Sequence, residues 1–247
     1  KTTAELGRDT AEAVAAAKGL PGQVATLILP ADISWGDGGI PSLPIAMPIA
    51  ECAEDAVIQS IAQAINSGAK VAILLGGHAL RESSLLLAGR LAAQCGVKLF
   101  AEVFPTRMQR GAGLPTVERI AYLSELAGVQ LAEFQHLILV DAKAPVSFFA
   151  YPGKKSYLVP DTCKVHTLAS AIQDTQGSLD KLARALNADK ALPILQAAVR
   201  PSRPRGKLSA EKVCKAVGHL LPDNAILIDE SITSGLMLGV MTAGAPR

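Results

Sequence analysis

The 247 residues carry a formal net charge of +2, with 49% hydrophobic and 4% aromatic residues. So small a charge excludes a nucleic-acid or anionic-membrane surface as the organising feature, and the core must be built from Ala, Leu, Val and Ile, as in parallel sheets covered by helices. Cys52, Cys95, Cys163 and Cys214 show no CxxC or Cys/His ligand spacing, and no signal peptide, lipidation motif or run of about 18 apolar residues occurs.

These features predict a cytoplasmic chain with reduced thiols, no membrane segment and no structural zinc. Thr3–Lys18 reads as an alanine-rich amphipathic helix, stopped by Gly19 and Pro21-Gly22. Val24–Leu29 reads as a strand closed by Pro30, and Gly36–Ala50, with Pro41, Pro44 and Pro48, as an extended linker. Glu51–Asn66 has helical apolar spacing at Ala53, Val57, Ile58, Ile61 and Ile65.

The organising stretch is Lys70–Glu102. Its apolar run Val71–Leu75 ends at Gly76-Gly77; a helix with Leu85, Leu86, Ala88, Leu91, Ala92 and Cys95 on one face ends at Gly96; the run Val97–Ala101 follows. Strand, glycine turn, helix, glycine and strand make a βαβ unit with parallel neighbouring strands. Phe104–Gly113 is then a polar loop at a strand's carboxyl end, where open α/β sheets place ligands, and its Arg107 and Arg110 are suited to a phosphate, a carboxylate or plain solvent.

Pro115 predicts the first position of a further helix through Leu126. Leu137–Val140 reads as a strand ending at Asp141. Phe148, Phe149 and Tyr151 lie on the next loop, with packing beneath the loop favoured over a ligand cover. Ser156–Val159 and Val165–Leu168 read as short strands and Gln176–Leu186 as a closing helix. The Arg200–Lys207 run, which lacks interleaved aromatics, ends a second linker. Ser209 should cap a helix reaching Leu220, Ala225–Ile228 should be a strand, and Asp229–Gly235 lies at its carboxyl end.

The expected fold class is α/β: a parallel-sheet, Rossmann-like central domain with fragments of two flanking α/β domains. No G-x-G-x-x-G, GxSxG, HExxH or P-loop occurs, and His78, His136, His166 and His219 share no metal-like spacing, so no catalytic set or metal site is assigned. Two candidate anion sites remain. Gly76 and Gly77 would let backbone amides approach a phosphate at the start of the following helix. Ser231, Thr233 and Ser234 offer hydroxyls, amides and a helix start to a diphosphate, with helix capping as the equal alternative.

PGQVATLILPADISW (Pro21–Trp35), SGAKVAILLGGHAL, HLILVDAKAPVSFFAYPG and LPDNAILIDESITSG follow in the order found in a known family. The chain resembles thiamine-diphosphate-dependent 2-oxo-acid enzymes, of the acetolactate synthase large-subunit-like and benzoylformate decarboxylase-like kind. The resemblance implies an end of the pyrimidine-binding domain over 1–35, a linker at 36–50, the central domain at 51–186, a linker at 187–208 and the start of the diphosphate-binding domain at 209–247. It implies thiamine diphosphate and magnesium in the parent protein, a transferase or lyase acting on a small 2-oxo acid such as pyruvate or benzoylformate, and a dimer or tetramer.

It also implies that this chain alone is inactive. The family's activating glutamate belongs to the early part of the first domain and its GDG…N magnesium segment to the later part of the third. Thr233 and Ser234 are the carried-over cofactor positions, with Ile232 where some relatives have a hydroxyl. In true acetolactate synthases the central domain binds FAD, and no distinctive flavin signature is matched around Gly76-Gly77 or Arg107–Gly113. The alternative reading is a stand-alone nucleotide- or CoA-binding α/β module.

Overall fold

The computed structural model describes residues 2–247. Helix α1 (Leu6–Lys18), preceded by a 3-10 turn, and the short α2 (Ala31–Trp35) lie ahead of α3 (Asp55–Asn66), which leads into the sheet. Strand β1 (Val71–Leu75) is followed by a 3-10 turn, α4 (Glu82–Cys95) and β2 (Lys98–Ala101). Next come β3 (Glu118–Arg119), α5 (Ser124–Leu131), β4 (His136–Val140), β5 (Lys164–Ala169) and α6 (Thr175–Ala185). Helices α7 (Ala210–Leu220) and α8 (Leu238–Met241) complete the order.

All five strands are parallel, in the order β3-β2-β1-β4-β5. The order reverses at β1, so β2 and β4 flank it and a crevice opens where their carboxyl ends diverge. Every residue of β1 is buried. Ile73 and Leu75 face one apolar layer with Ile58, Ile61, Leu85, Leu91, Leu179 and Leu182, which come from α3, α4 and α6. Ala72 and Leu74 face the other, with Phe100, Leu131, Phe134 and Leu137. Burial on both sides explains why the strand is a continuous apolar run and does not alternate.

Local signals set the helix ends. Gly96, at φ 69°, ends α4 in a left-handed turn whose N–H reaches the Ala92 carbonyl. Asp174 caps α6 by accepting from the Gly177 N–H, and Ser209 caps α7 by accepting from the Lys212 N–H.

Four expected elements differ. Val24–Leu29 and Ala225–Ile228 are unpaired, and Val24, Ile28, Ile226 and Ile228 are each more than three-quarters exposed. Strand propensity is realised only when a neighbouring strand takes up the backbone donors and acceptors, and neither segment meets one among the described residues. Ser156–Val159 reduces to one bridge between Val146 and Tyr157. Pro115 starts no helix: it bridges Leu195 and packs against Gly89, where an added Cβ would lie 2.5 Å from the Pro115 ring. A fixed φ suits an edge bridge as well as a helix start, and the close contact with α4 decides between them.

The stretch at 187–208 is pinned to the sheet's flank. Gln196 donates to the Leu114 carbonyl at 2.8 Å, Gly113 donates back to the Gln196 carbonyl at 2.9 Å, and Arg90 donates to the Asp189 carbonyl.

Ile73 is fully buried at the centre of the sheet. Ile73→Ala should cost about 2–5 kcal/mol, read as a lowered urea midpoint at unchanged slope.

Candidate functional site

The crevice at the carboxyl ends of β1, β2 and β4 is built from Gly76-Gly77, Glu102 and Asp141. Gly76 donates to the Val140 carbonyl at 3.0 Å, tying the turn to β4. Gly77 has φ 39° and Asp141 has φ 50°. These left-handed conformations bring the two turns face to face. The Asp141 carboxylate, only 6% exposed, accepts from the His78 backbone N–H at 2.7 Å and lies 3.3 Å from His78 Nδ1. A Cβ on Gly77 would collide with that carboxylate, and one on Gly76 with the Asp141 backbone carbonyl. The glycines thus do admit an anion to the turn, and that anion belongs to the chain itself.

Glu102, at the end of β2, is half-buried beside it. Burial pushes its carboxyl above the ordinary value and the Asp141 charge adds to the rise, while the Gly77 N–H opposes it. Beside the crevice, the starts of α4 and α6 and the preceding segment at Leu20 and Ile49 line an open pocket of about 330 Å³, with His78, Arg81, Ser84 and Asp174 on its wall. Burial and the nearby Arg107 lower the Arg81 pKa.

The other candidate residues keep separate partners. Asp229 accepts from both the backbone N–H and the hydroxyl of Ser231, which closes a local turn and holds Asp229 below the usual carboxylate range. Thr233 and Ser234 are exposed, and the Ser234 carbonyl meets the Cys214 thiol at 3.3 Å. Of the loop arginines, Arg110 is committed to α8: it donates to the Thr242 hydroxyl at 2.9 Å and to the Gly239 carbonyl.

Three features escaped the sequence reading. The sequence places Asp141 at a strand end, but its position in the glycine turn depends on β1–β4 pairing. His136 Nδ1 lies 3.0 Å from His166 Nε2 because β4 and β5 are neighbours; burial, then His136 and Lys164, lower the His166 pKa. Phe104, Tyr122, Phe148, Phe149 and Tyr151 come from three loops and meet edge-on or tilted at 5.0–6.4 Å. They pack on one another, with Phe148 61% exposed, and not beneath the loop as the sequence suggested. Among the described residues no group of three or more His, Cys, Asp or Glu is placed to hold a metal ion.

The raised Glu102 pKa has a pH signature. The folded protein holds this proton more tightly than the unfolded chain, so the contribution is fully present below the ordinary value of 4.5 and is lost as pH rises through the folded value. Glu102→Gln should flatten the fall in stability above about pH 4.5, measured by thermal unfolding across pH; a parallel, unflattened profile would contradict this.

No protein-family model matches the chain. An acetolactate synthase large-subunit-like protein of Mycobacterium tuberculosis is 42% identical over 100% of this chain and 47% of its own length. The chain thus spans about half the length of the curated relative it matches. Among solved structures, a thiamine diphosphate-dependent 4-hydroxybenzoylformate decarboxylase of Rhodococcus jostii RHA1 matches at TM-score 0.75 and 15% identity, over 100% of this chain and 50% of that one. A benzoylformate decarboxylase of Polynucleobacter necessarius matches at TM-score 0.67 and 16% identity, over 100% and 49%. Among the described residues no helix is long and apolar enough to cross a membrane. The chain is therefore a homologue, over its whole length, of an acetolactate synthase large-subunit-like protein, and carries an α/β fold shared with thiamine diphosphate-dependent enzymes.

Proposed function

We propose that these residues are part of a thiamine diphosphate-dependent enzyme that decarboxylates or ligates a small 2-oxo acid such as pyruvate or benzoylformate. The observation that carries this reading is the 42% identity that runs through the whole chain while spanning 47% of the relative. The proposed division is an end of the pyrimidine-binding domain over 1–35, a central domain over 51–186 and the start of the diphosphate-binding domain at 209–247, with linkers at 36–50 and 187–208. The parent is proposed to be a cytoplasmic dimer or tetramer. The exposed apolar side chains of Val24, Ile28, Ile226 and Ile228 support apposition of further chain on both flanks.

The residues at Asp229–Gly235 fit a diphosphate in part. Thr233 and Ser234 are exposed hydroxyl residues able to donate to it, whereas the Ser231 hydroxyl is spent on Asp229. Thr233 and Ser234 are thus the positions proposed to hold thiamine diphosphate, with magnesium as its counter-ion. When bound, the cofactor supplies the electron sink for cleaving the bond between the keto carbon and the carboxylate. This chain's proposed contribution is to hold and orient the cofactor through the exposed hydroxyls of Thr233 and Ser234.

The test is calorimetry and turnover together. The 247-residue chain should give no stoichiometric heat with thiamine diphosphate and Mg²⁺. A longer polypeptide carrying it should release CO₂ from pyruvate or benzoylformate only when both are present. In that polypeptide, Thr233→Ala should raise the thiamine diphosphate concentration for half-activation about tenfold. CO₂ release without thiamine diphosphate, or no release from any 2-oxo acid, would overturn the reading.

A further inference from the structure

In true acetolactate synthases the central domain binds FAD, which leaves FAD possible but unsupported by any flavin signature in this chain, and the residues at the sheet's switch point do not fit it. We infer that the anion-binding turn at Gly76-Gly77 is filled by the chain's own Asp141 carboxylate and therefore takes no cofactor phosphate, so that neither FAD nor another nucleotide is bound there.

Three observations converge. The first is the donor inventory: the His78 N–H, which would point at a phosphate, is taken by Asp141 Oδ2 at 2.7 Å. The second is space. The position above Gly77 that a phosphate oxygen needs is where the Asp141 carboxyl sits, with its Cγ 2.6 Å from an ideal Gly77 Cβ; Ala142 lies 3.1 Å from the corresponding point on Gly76. The third is charge. The Asp141 carboxylate is 6% exposed and Glu102 stands beside it, so an entering phosphate meets acidic groups instead of an open positive helix end.

The adjoining cavity repeats the pattern. At the start of α6, the amide of Gly177 is met by Asp174 Oδ1 at 2.9 Å, again a carboxylate supplied by the chain. Arg81 lines the same cavity, but the nearest acid at the glycine turn is fixed by backbone geometry: Asp141 is held at φ 50° and its own N–H donates to the Ala169 carbonyl at 2.8 Å. The backbone bond fixes where the Asp141 side chain starts, and the His78 N–H holds its carboxylate in the turn.

This inference does not rest on the thiamine reading and can fail or stand without it. It is tested on the 247-residue chain by calorimetry with ADP and by flavin fluorescence with FAD, comparing wild type with Asp141→Asn and Asp141→Gly. Glycine relieves the positive φ and so guards against a variant that fails to fold. Wild type should show no saturable binding of either ligand at millimolar concentration. Removing the like charge should tighten ADP binding roughly a hundredfold, into a measurable range. Saturable binding of FAD or ADP by wild type, competed by inorganic diphosphate, would overturn the inference. So would folded variants that bind no better than wild type. Should neither variant fold, the wild-type titration decides alone.

Discussion

The carboxylate of Asp141 seated in the Gly76-Gly77 turn is the contact on which the upper edge of this sheet depends. It joins the ends of β1 and β4, the two central strands between which the chain reverses direction across the sheet. Two glycines, a left-handed aspartate and a backbone N–H are needed at once. A buried carboxylate is costly unless hydrogen-bonded, and here the His78 amide satisfies it while the Gly76 amide holds the turn to Val140. The geometry that other α/β sheets offer to a ligand is thereby used for internal cohesion.

Beneath that edge, packing follows from the two-sided burial of β1. Ile73 and Leu75 require a helix layer on one side, which α3, α4 and α6 supply; Ala72 and Leu74 require another, supplied by α5 and the Phe100–Phe134 pair, whose rings meet edge-on at 5.7 Å. Because a right-handed crossover fixes the side on which each helix lies, the reversal at β1 puts α4 and α5 on opposite faces. The crevice at the switch point is the geometric result, and Asp141 and Glu102 set its chemistry.

The sequence disclosed what is encoded locally. The βαβ unit was legible because apolar run, glycine turn, amphipathic helix and Gly96 lie consecutively, and the α7 cap was legible because Ser209 stands where its oxygen meets the first-turn amides. What depended on remote pairing was not. Val24–Leu29 and Ala225–Ile228 have the composition of strands, but a strand requires a partner. Pro115 has the φ of a helix start, and only its contact with Gly89 of α4 shows it to be an edge bridge. The Gly76-Gly77 turn is legible in the sequence as a place where backbone amides are open to approach, but the group that occupies it, the Asp141 carboxylate, lies more than sixty residues away. The hydroxyls of Ser231, Thr233 and Ser234 were visible as a group, yet their division between a closed local turn and an exposed pair appears only in three dimensions.

The most direct measurement is native-state amide hydrogen exchange at His78. The side chain of His78 is about half exposed, so solvent reaches this turn, and an amide there without an acceptor would exchange fast. If the Asp141 carboxylate is the resident anion, that amide should exchange only through opening of the sheet, at a rate close to that of the buried β1 amides, and without any added ligand. An amide at His78 that exchanges at the rate of an open loop, and slows only when a nucleotide is supplied, would contradict the account.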